Sequence, residues 1–117
     1  MLPIQQPLEA TVRHIAGKAI LDLHGEINSH SEVVLQDAYA EAENLGAASI
    51  VLNFSAVDYI NSTGIALIVG VLAQARKSRL EVITYGLSDH YKEIFQITRL
   101  SDFMTICPDE ASALDQV

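Results

Sequence analysis

The sequence predicts an α/β fold: a mixed β-sheet with helices packed on it, in the order ββαβαβαβα. Two runs of alternating polar and apolar residues near the N-terminus are typical of an antiparallel hairpin. After them, short apolar runs alternate with longer segments whose apolar residues recur at helical spacing. A chain of 117 residues is expected to form one domain, 1–117, since it is long enough for one core and too short for two.

The first two strands are predicted from period-two alternation over residues 8–13 and 18–24. Ala16-Gly17 separates the two runs and predicts the turn of the hairpin. The polar segment 25–30 is predicted to be a loop. Ser31 is suited to cap the helix that follows this loop.

The first helix is predicted to reach Leu45, with Gly46 in the left-handed position just past its end. Ser49–Phe54 is short and apolar at its centre, which predicts a central strand covered on both faces. The second helix, over about 63–77, is apolar almost all round. We expect it to pack against the sheet because it is too apolar to face water.

The C-terminal part of the chain continues the alternation of strands and helices. Leu80–Tyr85 is predicted to be a strand, and Ser88-Asp89 is suited to cap a third helix whose apolar face reaches Leu100. Phe103–Ile106 is predicted to be a last, edge strand, and Pro108 suits the first turn of a final short helix. An exposed edge strand leaves homodimerisation open.

Composition and charge exclude several classes of function. A net charge of -8 and a pI of about 4.7 argue against nucleic-acid binding, which needs clustered Lys and Arg. The single Cys107 has no partner for a disulfide or a zinc site, which indicates a reducing compartment. The N-terminus lacks the features of a signal peptide, and the longest apolar stretch, 65–73, falls far short of the ~20 residues that span a bilayer. We therefore expect a cytoplasmic protein that binds neither nucleic acid nor membrane.

No group of residues predicts catalysis, a metal or a cofactor. The histidines, His14, His24, His30 and His90, are scattered through the predicted elements, and none lies in a hydrolase motif. Gly-rich phosphate loops and metal-ligand spacings are missing from the sequence. A receiver domain phosphorylated on aspartate is also disfavoured, because the chain begins with a hairpin and lacks an acidic pair after its first parallel strand. The sequence thus predicts a protein that is not an enzyme.

One turn combines reactive side chains with a favourable position. Asn61-Ser62-Thr63-Gly64 follows the predicted central strand and opens the second helix, which places two hydroxyls at a helix N-terminus. The same residue types are ordinary helix caps, and that interpretation requires no function. A phosphoryl group on Ser62 would nevertheless be stabilised by the helix dipole, would lie beside Asp58, and would repel an acidic partner surface. The turn is therefore the candidate site of a phosphorylation switch.

Three stretches resemble the STAS domain of bacterial anti-sigma factor antagonists, and the resemblance covers about residues 8–114. Residues 21–28 resemble the family's second strand with its Gly-Glu-Leu-Asp turn, and residues 50–60 resemble its central strand and the approach to its regulatory loop. Asn61-Ser62-Thr63-Gly64 stands where the family has Asp-Ser-Ser-Gly. The resemblance implies a STAS-type mixed sheet, with an initial antiparallel hairpin and then parallel strands, and about four helices packed mainly on one face.

The resemblance also implies partners and residue roles. Ser62 would be phosphorylated, with Thr63 as the second choice, by a partner that is both anti-sigma factor and serine kinase of the histidine-kinase-like ATPase type. The unphosphorylated antagonist would bind this partner and free the sigma factor, and a PP2C-type phosphatase would reset the antagonist. The residues implied in partner binding are Asn28, Ser29, His30, Asp58, Asn61, Ser62, Thr63 and Gly64.

One residue departs from the family pattern. Asn61 replaces the aspartate that usually precedes the phosphorylated serine, so it retains a capping side chain but lacks the carboxylate charge. This difference keeps a second hypothesis open, a STAS scaffold subunit of a signalling assembly that is never phosphorylated. A third hypothesis is a sensor of a small nucleotide or lipid, which the lack of a Gly-rich loop and of basic residues near the turn disfavours.

Overall fold

The structure is a computed structural model that describes residues 6–116 as a five-stranded sheet with helices on it, in the strand order β1-β2-β3-β4-β5. The elements are β1 (Glu9–Ile15), β2 (Lys18–Ile27), α1 (Glu32–Asn44), β3 (Ser49–Ile60), α2 (Ser62–Lys77), β4 (Glu81–Tyr85), α3 (Asp89–Ile97), β5 (Thr105–Cys107) and α4 (Glu110–Leu114). β1 is antiparallel to β2, and every later pair of neighbouring strands is parallel. The predicted α/β class and element order are confirmed.

The hairpin of β1 and β2 closes through a two-residue turn. Ala16 and Gly17 have positive φ angles of 53° and 78°, the pattern of a type I′ turn, whose twist suits the flanking strands. Ile15 pairs with Lys18 on either side of this turn. The predicted turn residues are therefore confirmed.

Three helices cover one face of the sheet and the fourth lies on the other face. The main core contains buried residues of α1, α2 and α3, among them Leu35, Ile68 and Phe95. On the opposite face a smaller cluster joins strand residues such as Val51 to Ala113 of α4. The central strand is thus covered on both faces, as its apolar sequence predicts.

Strands β2 and β3 are longer than the sequence predicts. The expected loop at 25–30 begins only after Ile27, and β3 continues to Ile60 instead of ending in a polar turn. The reason is that the parallel pairing of these strands continues through two register shifts as far as the Ile27–Ile60 pair. Because β4 stops at Tyr85, opposite Asn53, the last part of β3 extends beyond β4.

The C-terminal part differs from the prediction at several element ends. Arg99 has a left-handed φ of 66°, which separates α3 from a short 3-10 helix, Leu100–Phe103. The predicted long third helix and the early start of the last strand are therefore wrong. Asp109 caps α4, so Pro108 precedes this helix instead of lying in its first turn.

Helix α2 packs on the sheet along one side only. Its buried residues are Gly64, Ile68, Leu72 and Ala75, and small or apolar residues exposed on the other side are Ala66, Val69, Gly70 and Ala73. The prediction that this helix is too apolar to face water is wrong for its outer side. Small side chains reduce the cost of exposure, because the unfavourable free energy grows with apolar area.

No helix within residues 6–116 combines the length and the apolar character that a membrane crossing requires.

Candidate functional site

The carboxyl ends of β2 and β3 meet at the candidate site. Ile27 and Ile60 are the last paired residues of the two strands, and the N–H of Asn61 donates to the carbonyl of Ile27 at 3.2 Å. Asn61 alone separates β3 from α2. The N-terminus of α2 is therefore fixed to the end of β2, where the loop 28–30 begins.

Asn61 caps α2. Its backbone is extended, and its Oδ1 accepts a hydrogen bond from the N–H of Gly64 at 2.8 Å. Its carbonyl accepts from the N–H of Ile65 at 2.9 Å. Among the hydrogen bonds of residues 6–116, none uses the N–H groups of Ser62 and Thr63 as donors. These two free donors and the positive end of the helix dipole favour an anion at this end of α2.

Ser62 and Thr63 are exposed at the first two positions of α2. The helix starts at Ser62, one residue before its predicted start. Both hydroxyls are therefore accessible to another protein, and the helix that presents them is already formed and capped.

Gly64 allows α2 to approach the end of β2 closely. A Cβ atom at this position would lie 2.2 Å from the carbonyl oxygen of Ile27 and 2.8 Å from its carbonyl carbon. Both are backbone atoms of a paired strand and cannot rotate away. The glycine is therefore required by the close packing of helix and strand rather than by its own conformational freedom.

The loop 28–30 is held in a defined conformation beside the turn. Asn28 Oδ1 accepts from the N–H of His30 at 2.9 Å. Ser31 Oγ accepts from the N–H of Asn28 at 2.9 Å and donates to the carbonyl of Glu26 at 3.2 Å. The prediction that the Ser31 side chain caps α1 is wrong, because this buried hydroxyl bonds backward to the loop. Ser29 and His30 are exposed.

Asp58 belongs to β3 and not to the turn. It is exposed and lies at the register shift between the pairs Gly25–Val57 and Glu26–Tyr59. Within the described part of the chain, no hydrogen bond or ion pair links its carboxylate to the turn. Its charge still adds to the acidity of this end of the sheet.

Tyr91 is a site residue that the sequence did not reveal. Its Oη accepts a hydrogen bond from the N–H of Ile60 at 2.8 Å and donates to the carbonyl of Ile60 at 3.4 Å. Because β4 ends at Tyr85, Ile60 has no neighbouring strand on the β4 side of β3 in the described part of the sheet. The two bonds to Tyr91 satisfy the backbone groups of Ile60 that such a strand would otherwise pair. In the sequence, Tyr91 is only one of the apolar-face residues of α3.

The site contains no catalytic constellation. The exposed hydroxyls of Ser62 and Thr63 have no base in hydrogen-bonding contact among the described residues. Within residues 6–116, no group of three His, Cys, Asp or Glu side chains is arranged to hold a metal ion.

Comparison with known proteins gives a consistent family. The family model of the STAS domain matches residues 9–113. BtrV of Bordetella bronchiseptica, provisionally named an anti-sigma factor antagonist, is 31% identical over 101 residues, which cover 86% of this chain and 84% of BtrV. The anti-sigma-B factor antagonist of Staphylococcus aureus is 30% identical over 82 residues, which cover 70% of this chain and 76% of that protein.

A solved structure has the same fold. The phosphorylated form of the Bacillus cell fate determinant SpoIIAA superposes with a TM-score of 0.68, and the match covers 91% of this chain and 96% of SpoIIAA. The two sequences are 21% identical, so this likeness establishes the fold alone.

Proposed function

The chain belongs to the STAS domain family, and from that premise we propose that it is an anti-sigma factor antagonist whose partner binding is switched by phosphorylation of Ser62. The observation that carries the proposal is the exposed Ser62 hydroxyl at the first position of the capped helix α2. The protein acts by binding and is itself the substrate of an enzyme, and it has no catalytic role of its own.

The proposed modification is a phosphoryl transfer from ATP to Ser62. The partner, an anti-sigma factor with serine kinase activity of the histidine-kinase-like ATPase type, positions the γ-phosphate against the exposed Oγ. A bond forms between Oγ and the γ-phosphorus, the bond to the β-phosphate oxygen of ADP breaks, and the hydroxyl proton passes to a base of the kinase or to water. A phosphatase of the PP2C type restores the hydroxyl.

The geometry of the turn supports the proposal that α2 would tolerate a phosphate on Ser62 and predicts its effect on partner binding. The free N–H groups at the start of α2 and the helix dipole stabilise the added charge, so α2 keeps its structure. The phosphate adds about -1.5 to -2 charge to a surface already next to Asp58. A partner surface that accepts a neutral serine is then repelled, and the antagonist dissociates.

The proposed partner surface combines the turn with the neighbouring loop. Its members are Asn28, Ser29, His30, Asp58, Asn61, Ser62, Thr63 and Gly64. The bond between the Asn61 N–H and the Ile27 carbonyl holds the two segments side by side, which supports a single continuous contact. Gly64 is buried and acts through the packing of α2, and the other members are exposed or half-buried. SpoIIAA has a similar fold and is known in a phosphorylated form, which supports the proposal that this fold accommodates a phosphate.

The test is binding and phosphorylation with the histidine-kinase-like ATPase that recognises this protein. Mass spectrometry after incubation with ATP is expected to place the phosphate on Ser62, and Ser62→Ala is expected to abolish it while Thr63→Ala retains it. Ser62→Glu is expected to weaken binding of the kinase by at least about tenfold, by like-charge repulsion at the interface. Glu is favourable in the first turn of a helix, so this variant keeps the fold.

The outcomes separate the competing hypotheses. A phosphate on Thr63 moves the switch to the second-choice residue and rejects the Ser62 assignment. Binding that is strong and indifferent to Ser62→Glu, with no phosphate incorporated, supports the scaffold subunit instead. Asn61→Asp retains the cap of α2, so any change in the phosphorylation rate of this variant reports on the charge beside Ser62.

A further inference from the structure

A groove lies between the C-terminal half of α2 and the chain that follows α3. Its volume is about 310 Å³. The residues that line it are Val69, Leu72, Ala73, Arg76, Thr98, Leu100 and Phe103. Because an α-helix rises 1.5 Å per residue, the α2 residues that line the groove, from Val69 to Arg76, lie about 10 to 21 Å along the helix from Ser62, and no residue of the Ser62 turn lines it. The groove is therefore a surface distinct from the proposed switch.

Large apolar side chains are exposed around this groove. Of the lining residues, Phe103 is 52% exposed and Val69 is 46% exposed. Scattered exposed apolar residues are ordinary, but a contiguous group at the rim of a groove is typical of an interaction surface. Phe103 is held in place, because Leu100 of the same 3-10 helix is buried and the Arg76 guanidinium lies 5.7 Å from the ring centroid.

The groove also lies where the positive charge of the protein is concentrated. The chain has seven Lys and Arg and a net charge of -8. The cations at the C-terminal end of α2 and beside the groove are Arg76, Lys77, Arg79 and Arg99. Three carboxylates lie nearby: Asp102, which pairs with Arg99 at 2.8 Å, Glu81, and Glu43, which accepts from the hydroxyl of Ser78 at 3.2 Å. Four cations against three anions leave a small positive excess at this end, on a protein that has fifteen acidic and seven basic side chains in all.

We propose that this groove docks an acidic amphipathic helix of a partner protein. The straight wall formed by α2 and the apolar lining suit the apolar face of a helix, whose anchors recur every three or four residues. The acidic flank of such a helix would face Arg76 and Lys77. Elsewhere the net negative charge of the protein would repel the same helix, so electrostatics direct it to this groove.

Two designed helical peptides with the same Leu-rich face and a single Trp test the proposal, one with Glu and one with Lys on the polar face. The protein has no Trp, so the fluorescence of the peptide reports binding directly. The acidic peptide is expected to bind with a blue shift and to weaken as salt is added. Phe103→Asp is expected to lower its affinity by about tenfold or more, the effect of losing an aromatic anchor.

Matched variants make the result specific. Val33 is 66% exposed on α1 and does not line the groove, so Val33→Asp is expected to leave the affinity unchanged. Should Phe103→Asp fail to fold, Arg76→Glu at the exposed end of α2 is expected to give the same loss. The proposal is overturned by absence of acidic-peptide binding, by equal binding of both peptides, or by binding that these groove variants do not affect. Self-association through the groove that the acidic peptide does not displace identifies a second copy as the occupant and also overturns it.

Discussion

Gly64 and Gly70 lie in the same helix, but adding a methyl group is expected to have opposite effects at the two positions. At Gly64 an added Cβ would lie 2.2 Å from the Ile27 carbonyl oxygen, whereas at Gly70 an added Cβ would meet no atom of the described residues within 4 Å apart from its chain neighbours and the nearby backbone of α2. We expect Gly64→Ala to lower the free energy of unfolding by more than about 2 kcal/mol, because helix and strand must separate. Gly70→Ala is expected to raise it by about 0.5–1 kcal/mol through helix propensity.

Urea denaturation of the two variants and the wild-type protein measures both effects. Gly70→Ala is the control for the propensity gain that any Gly→Ala change brings in α2. Amide exchange at the start of α2 shows whether the damage at Gly64 is local to the turn. Equal stabilisation by both substitutions would contradict the close contact between Gly64 and Ile27.

At the scale of elements, α3 is connected to the end of β3 by one side chain. Tyr91→Phe removes the hydroxyl that bonds the N–H and carbonyl of Ile60, and leaves this N–H without its partner. We expect the free energy of unfolding to fall by about 1–3 kcal/mol, the cost of an unsatisfied buried polar group. The amide of Ile60 is expected to exchange faster, which places the effect at the end of β3 directly before the switch.

Tyr39 provides a matched control for this substitution. Its side chain is buried, and its Oη has no hydrogen-bond partner among the described residues, although Ser78 and Glu43 lie near it. Tyr39→Phe therefore removes a hydroxyl from the core without breaking a bond, and is expected to change the stability little. If Tyr91→Phe lowers the free energy of unfolding no more than Tyr39→Phe does, the bond to Ile60 does not stabilise the protein.

The order of the elements and the place of the turn could be predicted because their signals are local. Caps, turn glycines and hydrophobic periodicity lie within the segments they define, which is why Asn61 and Ser62 were found at the start of α2. The length of β3 could not be predicted in this way. Its last residues pair with β2 across a long separation in sequence, and two register shifts interrupt the alternation that would indicate a strand.

The hydrogen bonds of Ser31 and Tyr91 could not be predicted from the sequence for a related reason. Ser31 is equally suited to cap a helix or to bond to a loop, and the tertiary structure selects the loop. Tyr91 contacts Ile60 only because β4 stops short, which is a property of the sheet and not of either segment. The sequence thus predicts which residues are present at the turn, and the structure shows what holds them there.

At the scale of the whole molecule, a cluster of polar contacts joins α4 to four strands. Arg13 of β1 bonds to Asp22 of β2 with Nη2–Oδ1 at 2.9 Å, and also to Glu110 of α4. Asn53 donates to Asp22 at 2.8 Å, and Tyr85 donates to Glu110 at 3.0 Å. Hydrogen bonds from Arg13 and Tyr85 lower the pKa of Glu110. Burial raises the pKa of Asp22, but hydrogen bonds from Arg13 and Asn53 outweigh it, so that this pKa is lowered as well.

These contacts predict a loss of stability in acid. A carboxyl with a lower pKa in the folded chain stabilises the protein above its unfolded pKa, near 4.5 for Glu110, and this stabilisation is lost as the pH falls through the folded pKa. We expect Glu110→Gln to lower the melting temperature at pH 7 by about 2–4 °C, a modest effect for a side chain that is 39% exposed. The melting temperatures of variant and wild type, followed by circular dichroism, are expected to converge as the pH falls through the lowered folded pKa of Glu110.

Because the protein is acidic overall, the sign of the change in melting temperature caused by Glu110→Gln is informative. Removing one negative charge from a chain with a net charge of -8 reduces self-repulsion and should by itself be neutral or slightly stabilising. Asp37→Asn, at an exposed residue of α1, removes the same charge and is expected to show only this general effect. A lower melting temperature in Glu110→Gln and not in Asp37→Asn therefore reports the local contacts of Glu110. Equal shifts in the two variants would show that the contacts of Glu110 do not stabilise the protein and that apolar packing of Ala113 and Leu114 holds α4 to the sheet.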